Sequence, residues 1–348
     1  MERGSVKVGR TTVYNNITSP EKISAINSEN KMLMDDFLDY LESVGRAETT
    51  IKNYRADLLI FFCWCLDELD NKSFVKVTKR EIARFQNHAM KVWGWSSNRL
   101  RTVKAALSSM GNYIESILDE EYEGYRSIVR KVESPPKQTV REKTVWNDEE
   151  VESLLSKLTE AEEYERACFV ALAAYSGRRK AELCRFKVSD FDDDKLVCGG
   201  ALYKSDPIKT KGRGGGKYIP CYTLAKKFKP YLDAWLTYRT EQGIDSKWLF
   251  PCKGSPDEQL RTTTVDGWAN SFSTLSGKDF YIHSLRHAYT TSLAKAGIPD
   301  SVIQSLVGWD SSDMVRLYDD TPKDEQIGFY FKDGDIVATK EGRSVTDL

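Results

Sequence analysis

The chain has 348 residues, a length that favours two domains of ordinary size. Hydrophobic residues make up 40% of it and charged residues 30%, which excludes an intrinsically disordered chain. No apolar run reaches the roughly 20 residues that a membrane span needs, so a membrane-embedded protein is excluded as well. The 51 basic and 52 acidic residues give a net charge of −1. That balance excludes a uniformly basic protein, but it is compatible with basic residues gathered on one face.

The amino terminus lacks the apolar stretch of a signal peptide, which predicts a cytoplasmic protein without a membrane partner. Seven cysteines are scattered along the chain, an odd number with no C-x-x-C pair. This pattern favours buried or idle thiols over a disulfide framework or a zinc site.

Helical patterning dominates the first half of the chain. Residues 1–28 are polar and turn-rich, which predicts a flexible or loosely docked arm. Apolar residues then recur at helical spacing from Met32 to Val44 and from Thr49 to Phe62, and further helices are predicted at about 78–91 and 96–118. Residues 29–133 are therefore predicted to form a small helical domain. Tandem prolines interrupt this pattern and predict an interdomain linker over 134–144.

The pattern beyond the linker is mixed, which predicts a mainly α fold with a small β-sheet or hairpin, an α+β class. Short β-like segments are expected near 195–197 and 217–219, and a helix is expected to begin at about residue 179. The remaining predicted helices lie at about 148–157, 161–175, 223–242, 262–275, 284–296 and 299–307.

Two short stretches place arginine where a helix begins. In the stretch from Ser176 to Leu183, Arg179 and Glu182 lie three apart on one face, so the carboxylate can hold the guanidinium while its fork receives a phosphate oxygen. His283 and Arg286 are also three apart at a helix start, an arrangement suited to a phosphate. Taken alone, each stretch is explained better as an ordinary solvated helix start.

Two further stretches carry the remaining candidate groups. Residues 208–220 place β-prone flanks around a basic, glycine-rich turn, which predicts a hairpin whose charges reach into a groove, or a mobile surface loop. Trp309 follows a helix-ending glycine, and Tyr318 lies nine residues later. A tyrosine in such a position is usually a packing residue.

In this order the four stretches resemble the catalytic core of the tyrosine recombinases, the family of the phage integrases and the Cre and Xer proteins. That family carries an arginine in a T/S-G-x-R-x-x-E-L turn, a hairpin lysine, H-x-L-R, G-H or G-W, and a tyrosine nucleophile. The resemblance covers about 145–320 and points to these positions: Arg179, Lys211, His283, Arg286, Trp309 and Tyr318. Arg179 is preferred to its neighbour Arg178, where the family usually has an apolar residue, because it lies three before Glu182 and Leu183. Lys211 is preferred to Lys209 and Lys217 by its distance from Ile219 and Pro220.

The resemblance implies a reaction without a metal ion, ATP or another cofactor. Tyr318 attacks a scissile phosphodiester and forms a 3′-phosphotyrosyl link. Arg179 and Arg286 hold the non-bridging oxygens, and Trp309 adds a hydrogen bond. His283 accepts the tyrosine proton or bonds to the phosphate, and Lys211 protonates the leaving oxygen. Glu182 and His287 support the site.

The resemblance also implies an organisation around DNA. Residues 29–133 look like the family's core-binding, SAM-like domain, which forms a C-shaped clamp around double-stranded DNA with a catalytic domain at 145–320. Six basic residues are expected to contact the DNA: Lys52, Arg55, Arg99, Arg101, Lys104 and Arg213. The implied assembly is a homotetramer on the recombination site, in which the tail 321–348 passes to a neighbouring subunit. An accessory directionality factor is a further partner that such an enzyme can have.

Two other classes of protein share parts of this pattern. Residues 294–302 have the helix, glycine turn and helix of a DNA-binding regulator, a reading that leaves Arg179, Lys211 and Tyr318 unexplained. A type IB topoisomerase or a telomere resolvase uses the same residues with different accessory domains. The chain length and the short arm favour a two-domain recombinase or a smaller integrase variant.

Overall fold

The computed structural model describes residues 17–136, 146–210 and 216–309, together with the backbone of two short strands, Phe331–Lys332 and Asp335–Ile336. The chain divides into two compact units, one containing residues 17–136 and the other residues 146–210 and 216–309. No helix among the described residues is long and apolar enough to cross a membrane.

The first unit is helical throughout its regular structure. Its α-helices are Pro20–Ala25, Ser28–Ser43, Glu48–Glu68, Lys79–Lys91 and Ser97–Ile117. Short 3₁₀ turns lie at Phe74–Lys76 and Val129–Lys131. The longer helices agree with the predicted ones within a few residues, because each buries an apolar stripe in one shared core.

Polar side chains fix where these helices begin. Asn27 accepts a hydrogen bond from the amide of Asn30, and Thr78 and Glu81 form a reciprocal capping box. Asn30 is fully buried; its amide group donates to the Lys72 carbonyl and its oxygen accepts from the Phe74 amide at 2.7 Å. The buried amide therefore joins the second helix to the loop that follows the third.

The predicted loosely docked arm is wrong for residues 17–28. Helix Pro20–Ala25 begins with proline at its first position and is capped by Ser19. Ile17 and Ile26, on either side of it, are buried in the helical core. This segment is packed onto the unit because its two isoleucines remove apolar surface from water. The rest of the predicted arm lies outside the described residues.

The prediction that Lys104 contacts DNA is also wrong. Its side chain is buried, and its ammonium donates to Gln86 Oε1 at 3.0 Å and to the Val132 carbonyl at 2.7 Å. Burial, with help from the nearby Arg101 charge, lowers the pKa of this lysine. Lys104 therefore connects its own helix Ser97–Ile117 to helix Lys79–Lys91 and to the segment at Val132, and it presents no charge to a ligand.

The other basic candidates on this unit have varied environments. Lys52 and Arg55 are exposed and pair with Glu48 and Asp35. The Arg99 guanidinium pairs at 2.6 Å with the buried carboxylate of Asp57 and lies over the ring of Trp95. Arg101 donates twice to the Pro135 carbonyl, at 3.1 and 2.6 Å. These four basic side chains all keep some exposed surface. Lys52 and Arg55 pair with exposed carboxylates, whereas Arg99 pairs with a buried carboxylate and Arg101 with a backbone carbonyl.

The second unit surrounds one buried helix, Tyr164–Ser176, which packs against neighbours on several sides. The other α-helices of the unit are Asp148–Glu160, Lys180–Leu183, Ala225–Glu241, Thr262–Ser276, Ile282–Lys295 and Asp300–Val307. They confirm the predicted helices, except that the helix expected from residue 179 is a single turn.

Small antiparallel sheets cover this helical core. A three-stranded sheet has Leu202–Lys204 as its central strand, with Leu196–Val197 on one side and Tyr222–Leu224 on the other. Ile208–Thr210 pairs with Lys217–Ile219, so the predicted hairpin is confirmed. A second hairpin, Pro251–Cys252 with Ser255–Gln259, was not predicted because its outer strand is polar and charged.

The cysteines carry no disulfide among the described residues, and all seven are free thiols. Five are buried, while Cys198 is exposed and Cys252 half-buried. Burial raises the pKa of Cys221 to about 11 and that of Cys184 to about 12, so both stay protonated at neutral pH.

Candidate active site

The turn between helices Tyr164–Ser176 and Lys180–Leu183 is the centre of the candidate site. Gly177 has a φ of 59°, the left-handed conformation in which glycine ends a helix without strain. Arg178 and Arg179 follow it and diverge. Arg178 is buried with 1% of its surface exposed, whereas the Arg179 side chain keeps 36% of its surface exposed.

Glu182 holds Arg179 as the sequence predicts. Its carboxylate is 2% exposed and accepts from Arg179 Nη1 at 3.0 Å and from the Arg179 backbone amide at 3.2 Å. A buried carboxylate that binds both the side chain and the backbone of one arginine fixes the guanidinium in a single orientation. The outer part of the fork stays open to a pocket of about 350 Å³.

Arg286 comes to the same turn from helix Ile282–Lys295. It is 1% exposed, its Nη1 donates to the Gly177 carbonyl at 2.9 Å, and its guanidinium lies 4.8 Å from the centre of the Trp309 ring. The carbonyl and the indole face hold the planar guanidinium on two sides, a placement that a lysine ammonium cannot reproduce.

The two histidines of the H-x-x-R-H stretch stand one helical turn apart. The rings of His283 and His287 are edge to face, with centroids 5.7 Å apart. His283 is partly exposed, yet partial burial, followed by the charges of Arg286, His287 and Arg179, lowers its pKa to about 4. The imidazole is therefore neutral at pH 7 and can accept a proton.

Trp309 follows the C-terminus of helix Asp300–Val307. Gly308 ends this helix with a φ of 73°, and the Trp309 amide donates to the Gln304 carbonyl at 3.1 Å. The indole is 7% exposed and packs in a small apolar cluster with Tyr289, Ile303 and Val307. Packing thus presents Trp309 to the pocket as a rigid group.

The pocket itself joins the turn to the hairpin. Its lining brings Arg179 and Trp309 together with Lys217 of the hairpin and Gln304 and Ser305 of the preceding helix. Of the three hairpin lysines, Lys217 lines the pocket and Lys209 lies on the paired strand. The preferred Lys211, along with Arg213 and Tyr318, lies outside the described residues.

Sequence reasoning missed one residue of the site. Arg178 was set aside in favour of Arg179, but its buried guanidinium donates from Nη2 to the Pro220 carbonyl at 3.0 Å and to the Leu306 carbonyl at 3.1 Å. One signal indicates its burial: the family usually has an apolar residue at this position, and apolar positions are mostly buried. The two carbonyl partners lie far away in the sequence and could not be predicted from it.

Gly177 is required at its position by space as well as by conformation. A Cβ there would meet the Tyr289 ring, with Cε1 and Cγ both at 3.1 Å. We expect Gly177→Ala to lower the free energy of unfolding by about 2–4 kcal/mol, from the left-handed backbone and the overpacked ring together. Chemical denaturation measures this loss.

Gly199→Ala is the matched control, because Gly199 has a φ of 66° and nothing within 4 Å of an added Cβ. This substitution should lower the free energy of unfolding by only about 1–2 kcal/mol, because it adds the strain of a left-handed backbone without any steric contact. An equal loss in the two variants would show that contact with Tyr289 contributes nothing.

The lowered pKa of His283 predicts how stability varies with acidity. The folded protein resists protonating this imidazole until about pH 4, while the unfolded chain protonates it near its ordinary value of 6.5. The stabilisation is therefore complete above pH 6.5 and is lost as the pH falls toward 4. We expect His283→Gln to weaken the decline in unfolding free energy over this range, as measured by denaturation at several pH values. Identical pH profiles for both proteins would contradict the shift.

Comparison with known proteins finds family matches in both units of the chain. The profile of the phage integrase family matches residues 145–325, and that of the phage integrase N-terminal SAM-like domain matches residues 33–123. The SPbeta prophage-derived recombinase-like protein YomM of Bacillus subtilis is 30% identical over 251 residues, which cover 71% of this chain and 72% of that protein. Tyrosine recombinase XerC of Corynebacterium glutamicum is 28% identical over 305 residues, 86% of this chain and 91% of that one.

Solved structures show the same fold at lower sequence identity. A lambda integrase tetramer bound to a Holliday junction has a TM-score of 0.62 at 18% identity, covering 92% of this chain and 89% of that one. XerH bound to its difH substrate has a TM-score of 0.61 at 18% identity, covering 85% and 94%.

The family matches and the recombinase relatives place the chain in the class of enzymes that break and rejoin DNA. Within that class, the chain belongs to the phage integrase family of tyrosine recombinases. The helix pair Ile282–Lys295 and Asp300–Val307 that suggested a regulator is part of this catalytic unit, since it supplies Arg286 and supports Trp309.

Proposed function

We propose that this chain is a site-specific recombinase that exchanges DNA strands through a 3′-phosphotyrosyl intermediate at Tyr318. The observation that carries the proposal is the convergence of Arg179, Arg286 and Trp309 around one turn, with a neutral His283 beside them. Two fixed guanidinium groups beside a proton acceptor fit a phosphodiester that gains negative charge in its transition state.

In the proposed reaction the Tyr318 oxygen attacks the scissile phosphorus, and the bond to the 5′ oxygen of the next nucleotide breaks. His283 takes the tyrosine proton, and Lys211 gives a proton to the leaving oxygen. Arg179 and Arg286 hold the non-bridging oxygens, and Trp309 contributes its indole N–H. The covalent link conserves the bond energy, so a 5′-hydroxyl from another strand can reverse the step without ATP.

Glu182 and His287 have supporting roles in this scheme. The hydrogen bonds of Glu182 to both the side chain and the backbone of Arg179 keep the fork aimed at the pocket. The His287 ring packs edge to face on His283 and restricts its orientation. Glu182 and His287 thus position Arg179 and His283, which contact the phosphate, and make no contact with the phosphate themselves.

The proposed partner is a double-stranded recombination site held in a C-shaped clamp. Residues 29–133 would be the core-binding domain, 134–144 the linker and 145–320 the catalytic domain, with a homotetramer on the DNA and the tail 321–348 exchanged between subunits. The tetrameric lambda integrase on a Holliday junction supports this assembly. The prophage-derived relative supports a mobile element as the source of the gene. The proposed location is the cytoplasm, where the DNA substrate would be. A directionality factor is a further proposed partner.

The helical unit would bind DNA through its remaining basic side chains. Lys52 and Arg55 are exposed on helix Glu48–Glu68, and Arg99 and Arg101 lie on helix Ser97–Ile117. Each pairs within the unit, so phosphate contact requires these side chains to exchange one partner for another. Arg213 would add a contact from the hairpin turn.

The neutral overall charge hides an uneven distribution that affects binding. Residues 319–348 contain eight acidic and four basic residues, so the rest of the chain carries a net charge of +3. We expect the affinity for DNA to fall about tenfold or more between 50 and 200 mM salt, because each phosphate contact releases counterions. Fluorescence anisotropy at several salt concentrations measures the slope, and an unchanged affinity would contradict the sorting of charge.

The proposal is tested with suicide substrates, which carry a nick close to the cleavage site. After cleavage the short fragment with the 5′-hydroxyl dissociates, so the strand cannot be rejoined and the covalent adduct accumulates. Candidate sites are taken from the DNA that flanks the gene. We expect one of them to yield a protein–DNA adduct that survives denaturing electrophoresis. Tight binding to a flanking site without any adduct would overturn the enzymatic assignment.

A further inference from the structure

Arg178 is a buried charged residue to which the proposed reaction gives no role. Only 1% of its surface is exposed, and none of the described residues forms an ion pair with it. Its Nε and Nη1 atoms also have no hydrogen-bond partner among those residues. A buried guanidinium held only by carbonyl oxygens is less favourable than an apolar side chain of the same size, so stability alone does not explain it.

The two carbonyls that Arg178 binds belong to segments carrying site residues. Pro220 directly follows the hairpin strand Lys217–Ile219, and both line the pocket. Leu306 lies in the last turn of helix Asp300–Val307, two residues before Gly308 and three before Trp309. One Nη2 atom therefore bridges the hairpin and the tryptophan segment.

The backbone around Arg178 is held to the same turn from the other side. Gly177, the preceding residue, accepts the hydrogen bond from Arg286, and Arg179, the following residue, is fixed by Glu182. Gly308 approaches the guanidinium so closely that an added Cβ would collide with Arg178 Nη1 and lie 2.7 Å from Ile219 Cδ1. The turn, the hairpin and Gly308 are therefore packed so tightly that no further side-chain atom fits between them.

We propose that Arg178 is a positioning residue for strand cleavage. It sets the hairpin and Trp309 at fixed positions relative to Arg179 and Arg286, so that groups from separate segments meet one phosphate. In this role Arg178 acts through the Pro220 and Leu306 carbonyls that it binds, and not through the DNA. This inference rests on the proposed recombinase reaction.

The test compares Arg178→Met and Arg178→Lys with the wild type and with Arg239→Met. Arg239 is a matched control: it is 5% exposed, lies in the same unit and donates to the carbonyls of Trp248, Leu249 and Ser246, none of which lines the pocket. For each protein, the rate of adduct formation on saturating suicide substrate, the DNA affinity and the melting temperature are measured.

We expect Arg178→Met to form adduct about ten to a hundred times more slowly than the wild type, because small displacements of catalytic groups have effects of this size. Its DNA affinity should stay within about threefold, since the residue is not at the interface. Arg178→Lys can still donate to a carbonyl, so its rate of adduct formation should lie between those of Arg178→Met and the wild type. Arg239→Met should cleave at the wild-type rate even where its melting temperature falls.

Equal cleavage rates in the Arg178 and Arg239 variants would overturn the inference, as would a failure of both Arg178 variants to fold while Arg239→Met folds. If only Arg178→Met fails to fold, the rate of Arg178→Lys decides, and a wild-type rate overturns the inference. Absence of adduct with the wild type would instead refute the proposed reaction itself.

Discussion

The Tyr318→Phe variant is expected to bind its recombination site with wild-type affinity and to form no covalent adduct. Removing one oxygen atom keeps an aromatic ring at this position but deletes the nucleophile, so no phosphotyrosyl bond can form. A suicide-substrate assay and a binding assay on the same DNA separate the two properties. This is the largest effect expected from any single substitution, because it removes the reaction route entirely.

Tyr222→Phe is the matched control, because Tyr222 lines the pocket beside Arg179 and Trp309. It should form adduct at the wild-type rate. Adduct from Tyr318→Phe together with none from Tyr222→Phe would move the nucleophile to Tyr222. Wild-type activity in the Tyr318 variant would refute the family-based assignment, and a regulator would show this same indifference to the substitution.

Amphipathic periodicity predicted most of this fold because long helices bury continuous apolar stripes. The short helix Pro20–Ala25 was missed because none of its own residues is buried and the isoleucines that dock it lie outside it. The hairpin ending at Gln259 was missed because its strand Ser255–Gln259 contains adjacent acidic residues, which are typical of loops.

The site was predicted in its residue types and in the support of Arg179 by Glu182, but the buried arginine beside them was not predicted. The contact between Arg179 and Glu182 follows from helical spacing, which sequence shows directly. The burial of Arg178 and of Lys104 depends on long-range carbonyl partners, Leu306 and Val132, which sequence spacing cannot reveal. Local spacing thus identifies groups that face a ligand, while the charges beneath them depend on tertiary packing.

Arg286→Lys is expected to lower the cleavage rate by about 10²- to 10³-fold with little change in DNA affinity. The guanidinium donates to the Gly177 carbonyl and stacks near Trp309, and in the proposed reaction its other nitrogens hold a phosphate oxygen. A lysine ammonium keeps the charge but lacks the planar fork, so it cannot serve the carbonyl, the indole face and the phosphate together.

The control for Arg286→Lys is Arg166→Lys in the same unit. Arg166 also lies over an indole, 5.7 Å from the centre of the Trp268 ring, but it pairs with Glu163 and not with the Gly177 carbonyl. Rates are measured at saturating DNA so that they report the chemical step. Because both substitutions remove a guanidinium from a tryptophan ring, a rate loss confined to Arg286 assigns the effect to the candidate site rather than to the loss of a cation–π contact. Similar losses in both variants would attribute it to general weakening of the fold, and Arg286 would lose its place in the proposed mechanism.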